Sequence, residues 1–117
     1  VDIHCENKSD AEQMLFENLK NQIEQLTSEQ KILLKLTIPN EANLYAPFIN
    51  HPNVMRVFAL SGGYSRDDSN RLLSLNNGML ASFSRALTEG LSVQQSDDEF
   101  NSKLDASIES IFQASIS

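Results

Sequence analysis

Short apolar runs alternate along this chain with stretches of helical periodicity, and that alternation leaves few folds open. Ile32-Leu33-Leu34-Lys35-Leu36-Thr37-Ile38 is one such run and Val54 to Leu60 is another. Runs of this length suit strands covered on both faces, the habit of parallel sheets. Ahead of the first run, Ser9-Asp10-Ala11-Glu12 matches a capping box, with Ser9 as N-cap and Glu12 reaching back. Ala11, Met14, Leu15, Leu19, Ile23 and Leu26 then follow at helical spacing, which predicts a helix over about 9–26. Pro39 ends the first strand, and 42–49 reads as a short helix stopped before His51-Pro52.

After the second strand, Ser65 caps a helix with Asp67 and Asp68 in its first turn, and Asn76-Asn77-Gly78 marks its end. A third strand is expected over 79–83 and a short helix over 85–91. A second capping box, Ser96-Asp97-Asp98-Glu99, opens a last helix with Phe100, Leu104, Ile108, Ile111 and Phe112 on one face. Alternation of this kind predicts an α/β fold with parallel strands and right-handed crossovers. Three strands leave both sheet edges exposed. With Val1-Asp2-Ile3-His4-Cys5 reading like a strand end running into a loop, the expectation is a piece of something longer.

The chain has 117 residues, 40% of them apolar, which suits one small globular domain. Its net charge of −7 argues against nucleic acid or an anionic membrane as partner for the whole chain. No apolar stretch approaches the ~20 residues of a membrane span, and no signal peptide is visible. The single Cys5 has no partner for an internal disulfide, which fits a cytoplasmic protein. His4 and His51 lie far apart with no third ligand at suitable spacing, so no metal and no cofactor are expected.

Lys35 is the anomaly. A charged amine in an apolar run either lays its stem on apolar surface and reaches water, or is buried for its chemistry. An ordinary lysine amine is almost wholly protonated at pH 7, and burial or a neighbouring cation favours the neutral nucleophile that forms Schiff bases. Strand C-terminal ends carry the active site in parallel α/β folds, and two further groups sit at such ends. Ser61-Gly62-Gly63 is either an ordinary βα turn or a loop whose amides approach an anion. Ser84-Arg85 either grips phosphate or places a surface arginine beside a carboxylate. Arg66 and Arg71 read as solvated helix residues. If the three strands are neighbours in sequence order, Lys35 and Arg85 lie roughly 10 Å apart, and a phosphorylated ketone would fit between them.

Three motifs in order carry a resemblance. Leu33-Leu34-Lys35, Leu60-Ser61-Gly62-Gly63-Tyr64-Ser65 and Ala81-Ser82-Phe83-Ser84-Arg85-Ala86-Leu87 together resemble the class I fructose-bisphosphate aldolases of the bacterial single-chain type. Gln95 to Phe100 and Ser110 to Ser115 look like the same group. The resemblance implies an eight-stranded TIM barrel of which 1–117 is a single partial domain. That domain is the C-terminal fragment, holding strands six to eight with helices five to eight. It implies a lyase of glycolysis and gluconeogenesis acting on a phosphorylated ketose, with Lys35 as the Schiff-base residue. Ser61, Gly62, Gly63, Ser84 and Arg85 would hold the substrate phosphate, and Ser82 would line the pocket. Vertebrate-type members have proline after the lysine and glycine before the arginine, where this chain has Leu36 and Ser84. The family's proton-transfer glutamate maps to no residue of this chain, so little or no activity is expected of it alone. Homo-oligomer formation, or pairing with the missing N-terminal part, is expected to cover its open edges. The other readings are a non-covalent sugar-phosphate-binding barrel such as an isomerase, and a small non-enzymatic α/β module.

Overall fold

Alternating accessibility along the strands shows how this chain is layered. In the computed structural model, which describes residues 1–116, β1 spans Ile32–Thr37, β2 Val54–Leu60 and β3 Leu80–Ala81. The three form one parallel sheet in the order β1-β2-β3, so the strands are neighbours in sequence order. Leu34, Val57 and Ala59 are buried, whereas Leu33 is 58% exposed and Lys35 and Arg56 are open to solvent. Successive side chains point to opposite faces of a strand, so one sheet face is covered and the other is bare.

Five helices connect or flank the strands: α1 Lys8–Glu24, α2 Ala46–Ile49, α3 Arg66–Ser74, α4 Arg85–Thr88 and α5 Asp97–Ser115. They supply Ile23, Phe48, Leu73, Ala86 and Ala114 to one core with Leu34, Val57 and Ala59. Phe16 stacks on Phe48 at 4.9 Å between ring centroids. Because only one face is covered, the molecule is a slab of 52 × 34 × 22 Å with a radius of gyration of 16.0 Å. A compact domain of this length would measure about 13 Å.

Four local features depart from the expected pattern. The first helix starts at Lys8 after Asn7, which makes no side-chain cap, and Ser9 lies inside the helix. Glu12 does not reach back to Ser9: it is 1% exposed and is drawn inward by Lys8 and by the Asn40 amide. The third strand is shorter than 79–83, although the ladder continues through Ser82 N, which donates to Ala59 O at 2.8 Å. The β3 edge is also less open than expected, because Ala81 N donates to the Ser115 hydroxyl of α5. On α5, Ser107 and Ala114 are buried while Phe100, Ile108 and Phe112 are exposed. The apolar stripe is therefore only partly used.

The starts of α3 and α5 follow the sequence. Ser65 Oγ accepts from Asp68 N and Ser96 Oγ from Glu99 N, both at 3.2 Å. Ser96→Ala is expected to lower stability by about 1 kcal/mol, read as a shift in the urea unfolding midpoint with an unchanged slope.

β2 carries an irregularity. Ile32 pairs with Val54 but Leu33 pairs with Arg56, so Met55 is an extra residue, 57% exposed. The bulge resets the alternation so that Arg56 and Phe58 share the bare face with Leu33 and Lys35.

Candidate active site at the strand ends

Parallel pairing fixes which residues meet across the bare face. Lys35 is opposite Phe58 and Phe58 is opposite Leu80, so the three form one rung. Thr37 and Leu60 form the next, and the continued ladder brings Ser82 to that level. Lys35 is exposed, which agrees with the first of the two readings, in which its head reaches water. The apolar run implied cover on both faces, and the helices cover one. Lys35 lines a cavity of about 500 Å³ with Ser82, Phe83, Ser84, Ile108 and Phe112. The exposed half of the α5 stripe therefore forms a wall beside the lysine.

The glycine loop is held in a conformation that other residues rarely adopt. Gly62 has φ 64° and Gly63 φ 111°. A Cβ on Gly62 would collide with Thr37 Cγ2, so strand β1 and the loop after β2 fit together only through glycine. Tyr64 N turns back to Ser61 O at 3.1 Å, while the Gly62 and Gly63 amides donate to nothing among the described residues. Ser61 is 5% exposed and Gly63 is open to solvent.

Arg85 faces the same loop. With Gly63, Tyr64, Ser65 and Glu89 it lines a second cavity of about 510 Å³, and it forms no ion pair among the described residues. Lys35, Ser82 and Ser84 line the first cavity and Gly63 and Arg85 the second, whereas Ser61 and Gly62 line neither.

The N-terminus of α3 is partly occupied from within the chain. Its Arg66 amide donates to Glu89 Oε2 at 2.7 Å, and Ser65 Oγ takes the Asp68 amide. Arg66 is half-buried, and its guanidinium donates to Glu89 O at 2.8 Å, which corrects its reading as a solvated residue. Arg71 is exposed and lies 3.6 Å from Asp68. Gly63 and Arg85 line the second cavity together.

A polar cluster not anticipated from sequence lies behind the loop, joining Lys8, Glu12, Asn40 and Tyr64. Only the Lys8/Glu12 spacing along the helix hinted at it. Burial first, and then the Glu12 charge, hold the Tyr45 and Tyr64 phenols above their ordinary value of 10.0; Asp68 adds to the effect at Tyr64. Both folded values exceed the unfolded one. Their contribution to stability is complete below pH 10 and is lost as pH rises through the folded values. Alkaline titration should show phenolate absorbance from these two tyrosines appearing later than in the urea-unfolded chain.

The fold and site define a one-sided parallel α/β layer with an amine on its open face and an amide-and-arginine cradle at its strand ends. Curated proteins named fructose-bisphosphate aldolase class 1 align with it over 116 residues. The Synechocystis sp. and Porphyromonas gingivalis proteins are 56% identical and the Clostridium acetobutylicum protein 47%. Each alignment covers 99% of this chain and 39% of the relative. The chain is a relative of the class 1 fructose-bisphosphate aldolases and spans about two fifths of their length. No family model matches it. No helix among the described residues is long and apolar enough to cross a membrane.

Proposed function

We propose that this chain is the C-terminal part of an aldolase barrel and carries the Schiff-base lysine and the phosphate cradle of a fructose 1,6-bisphosphate lyase. The observation that carries the reading is that Lys35, on the bare face, lines one cavity with Ser82 and Ser84 from just beyond the end of β3. The likeness to aldolases along the chain supports it. The remaining strands would complete the barrel and enclose the bare face.

Enclosure would take the Lys35 ammonium out of water, which favours the neutral amine. That amine adds to the C2 carbonyl of the bound ketose, and loss of water leaves an iminium. A base from outside this chain removes the proton of the C4 hydroxyl. The C3–C4 bond breaks, its electron pair moves into the iminium to give an enamine, and glyceraldehyde 3-phosphate departs. Protonation of C3 and hydrolysis then release dihydroxyacetone phosphate and restore Lys35. The Gly62 and Gly63 amides and Arg85 hold the C1 phosphate, which fixes C2 in reach of the amine. Ser82 and Ser84 line the same cavity as Lys35 and can donate to substrate hydroxyls. Alone, the chain lacks the proton-transfer carboxylate and an enclosed site, so it should turn over little or no substrate and should self-associate or pair with the remaining part.

Borohydride reduction of the full-length protein incubated with dihydroxyacetone phosphate tests this. A stable adduct mapped to Lys35 by mass is expected. An adduct elsewhere, or none, would overturn the covalent mechanism. Ligand protection that is lost in Arg85→Ala, without any adduct, would indicate a non-covalent phosphosugar site.

A further inference from the structure

The Lys8–Glu12 pair is nearly inaccessible, at 4% and 1% exposure, with Nζ 3.0 Å from Oε1. Lys8 Nζ also donates to Ile38 O at 2.8 Å and to Asn40 Oδ1 at 3.1 Å. Its three hydrogens are thereby used, so Lys8 is no second nucleophile. Glu12 Oε1 also accepts the Asn40 amide at 2.9 Å. Asn40 lies just beyond β1, the strand that carries Lys35. Its Oδ1 receives the Tyr64 hydroxyl at 3.0 Å, and the Tyr64 ring lies 5.7 Å from the Lys8 ammonium. Tyr64 directly follows Gly63.

We propose that Lys8, Glu12, Asn40 and Tyr64 form a positioning network that fixes the Gly62-Gly63 amides relative to the end of the lysine strand, and so sets the distance between amine and phosphate; this rests on the phosphate role given to that loop above. Backbone bonds from Ile3 N to Gly62 O and from Tyr64 N to Ser61 O shape the loop, and the Tyr64 hydroxyl adds a side-chain tie from it to Asn40, just beyond the lysine strand. A buried ion pair is seldom more stabilising than an apolar pair of similar volume. Here it also leaves Glu12 Oε2 buried without a partner, which costs further stability. An arrangement tuned only to dock α1 would not need it. One that must place the Asn40 side chain would, because the pair holds both the Asn40 amide and its Oδ1.

The test uses the full-length protein with Tyr64→Phe, which removes one oxygen, and Lys8→Met. Inorganic phosphate is titrated while the Gly62 and Gly63 amide resonances are followed, and borohydride trapping is compared for dihydroxyacetone phosphate and unphosphorylated dihydroxyacetone. Both variants should weaken phosphate binding about tenfold. They should slow trapping of the phosphorylated ketone by a similar factor and leave the unphosphorylated one unchanged. A purely structural role would slow both ketones together or lower only the melting temperature, and that result overturns the proposal. Phosphate affinity within twofold of wild type in Tyr64→Phe also overturns it, whether or not Lys8→Met folds. Wild type that binds phosphate at the loop but traps no ketone would sink the aldolase reading alone, and the positioning role is then decided by the phosphate affinities. Wild type that binds no phosphate at the loop sinks both.

Discussion

Lys35→Met in the full-length protein is expected to abolish the borohydride-trapped adduct and to lower cleavage of fructose 1,6-bisphosphate by roughly 10³-fold or more, the scale seen when a covalent nucleophile is lost. Methionine keeps the length of the stem and deletes the amine. Lys35 makes no ion pair among the described residues and stands on the uncovered face. Stability should therefore change by no more than about 0.5 kcal/mol. Loss of activity with an unchanged urea midpoint would separate chemistry from folding. Retention of more than about a tenth of the wild-type rate, measured by coupled assay of the triose phosphates, would remove Lys35 from the mechanism.

Gly62→Ala should produce the largest structural effect at the site. Its φ of 64° costs an L-residue roughly 1 kcal/mol, and the new methyl would overlap Thr37 Cγ2. Thr37 is a poor candidate for yielding, since it is 8% exposed at the end of β1. With overpacking added, the total should be about 3 kcal/mol by chemical denaturation. Phosphate binding should weaken as well, because the amide direction changes with the loop. Thr37→Ser removes the colliding methyl, so in the Gly62→Ala background it should recover the steric share and leave the backbone share. Equal stability of the single and double variants would show that the collision is relieved by movement of the loop instead.

Much of the layering was legible because the strands are carried by uninterrupted apolar runs. Ile32–Thr37 and Val54–Leu60 fall where the pattern puts them, and Ser65 and Ser96 cap as their chemistry dictates. The misses share a cause. Periodicity tells which residues of α5 lie together, but not that Ile108 and Phe112 remain uncovered. A capping box is a local preference, and at Glu12 it lost to Lys8 and Asn40, the latter far away in sequence. Likewise, the run around Lys35 leaves its exposure open, because that depends on how many layers cover the sheet.

At the site, the glycine loop and Arg85 could be picked out individually. That they face one cavity depends on strand order, and strand order follows from crossover geometry only once the strands are known to be adjacent. The occupied start of α3 was not legible at all. Glu89 reaches it from a turn beyond α4, and no local signal marks that carboxylate as a cap.

The two sides of the sheet differ in a way that bears on assembly. On the β3 side the strand is two residues long and Ser115 already consumes the Ala81 amide. On the β1 side a six-residue strand presents its outer ladder. Short, blunted edges resist recruitment of another strand and long ones invite it. The sheet therefore has a growing end and a terminated end. Closing a barrel pairs both edges, so Ser115 would have to release the Ala81 amide to a new neighbour, whereas the β1 row is open at once to a correct partner strand or to a second copy.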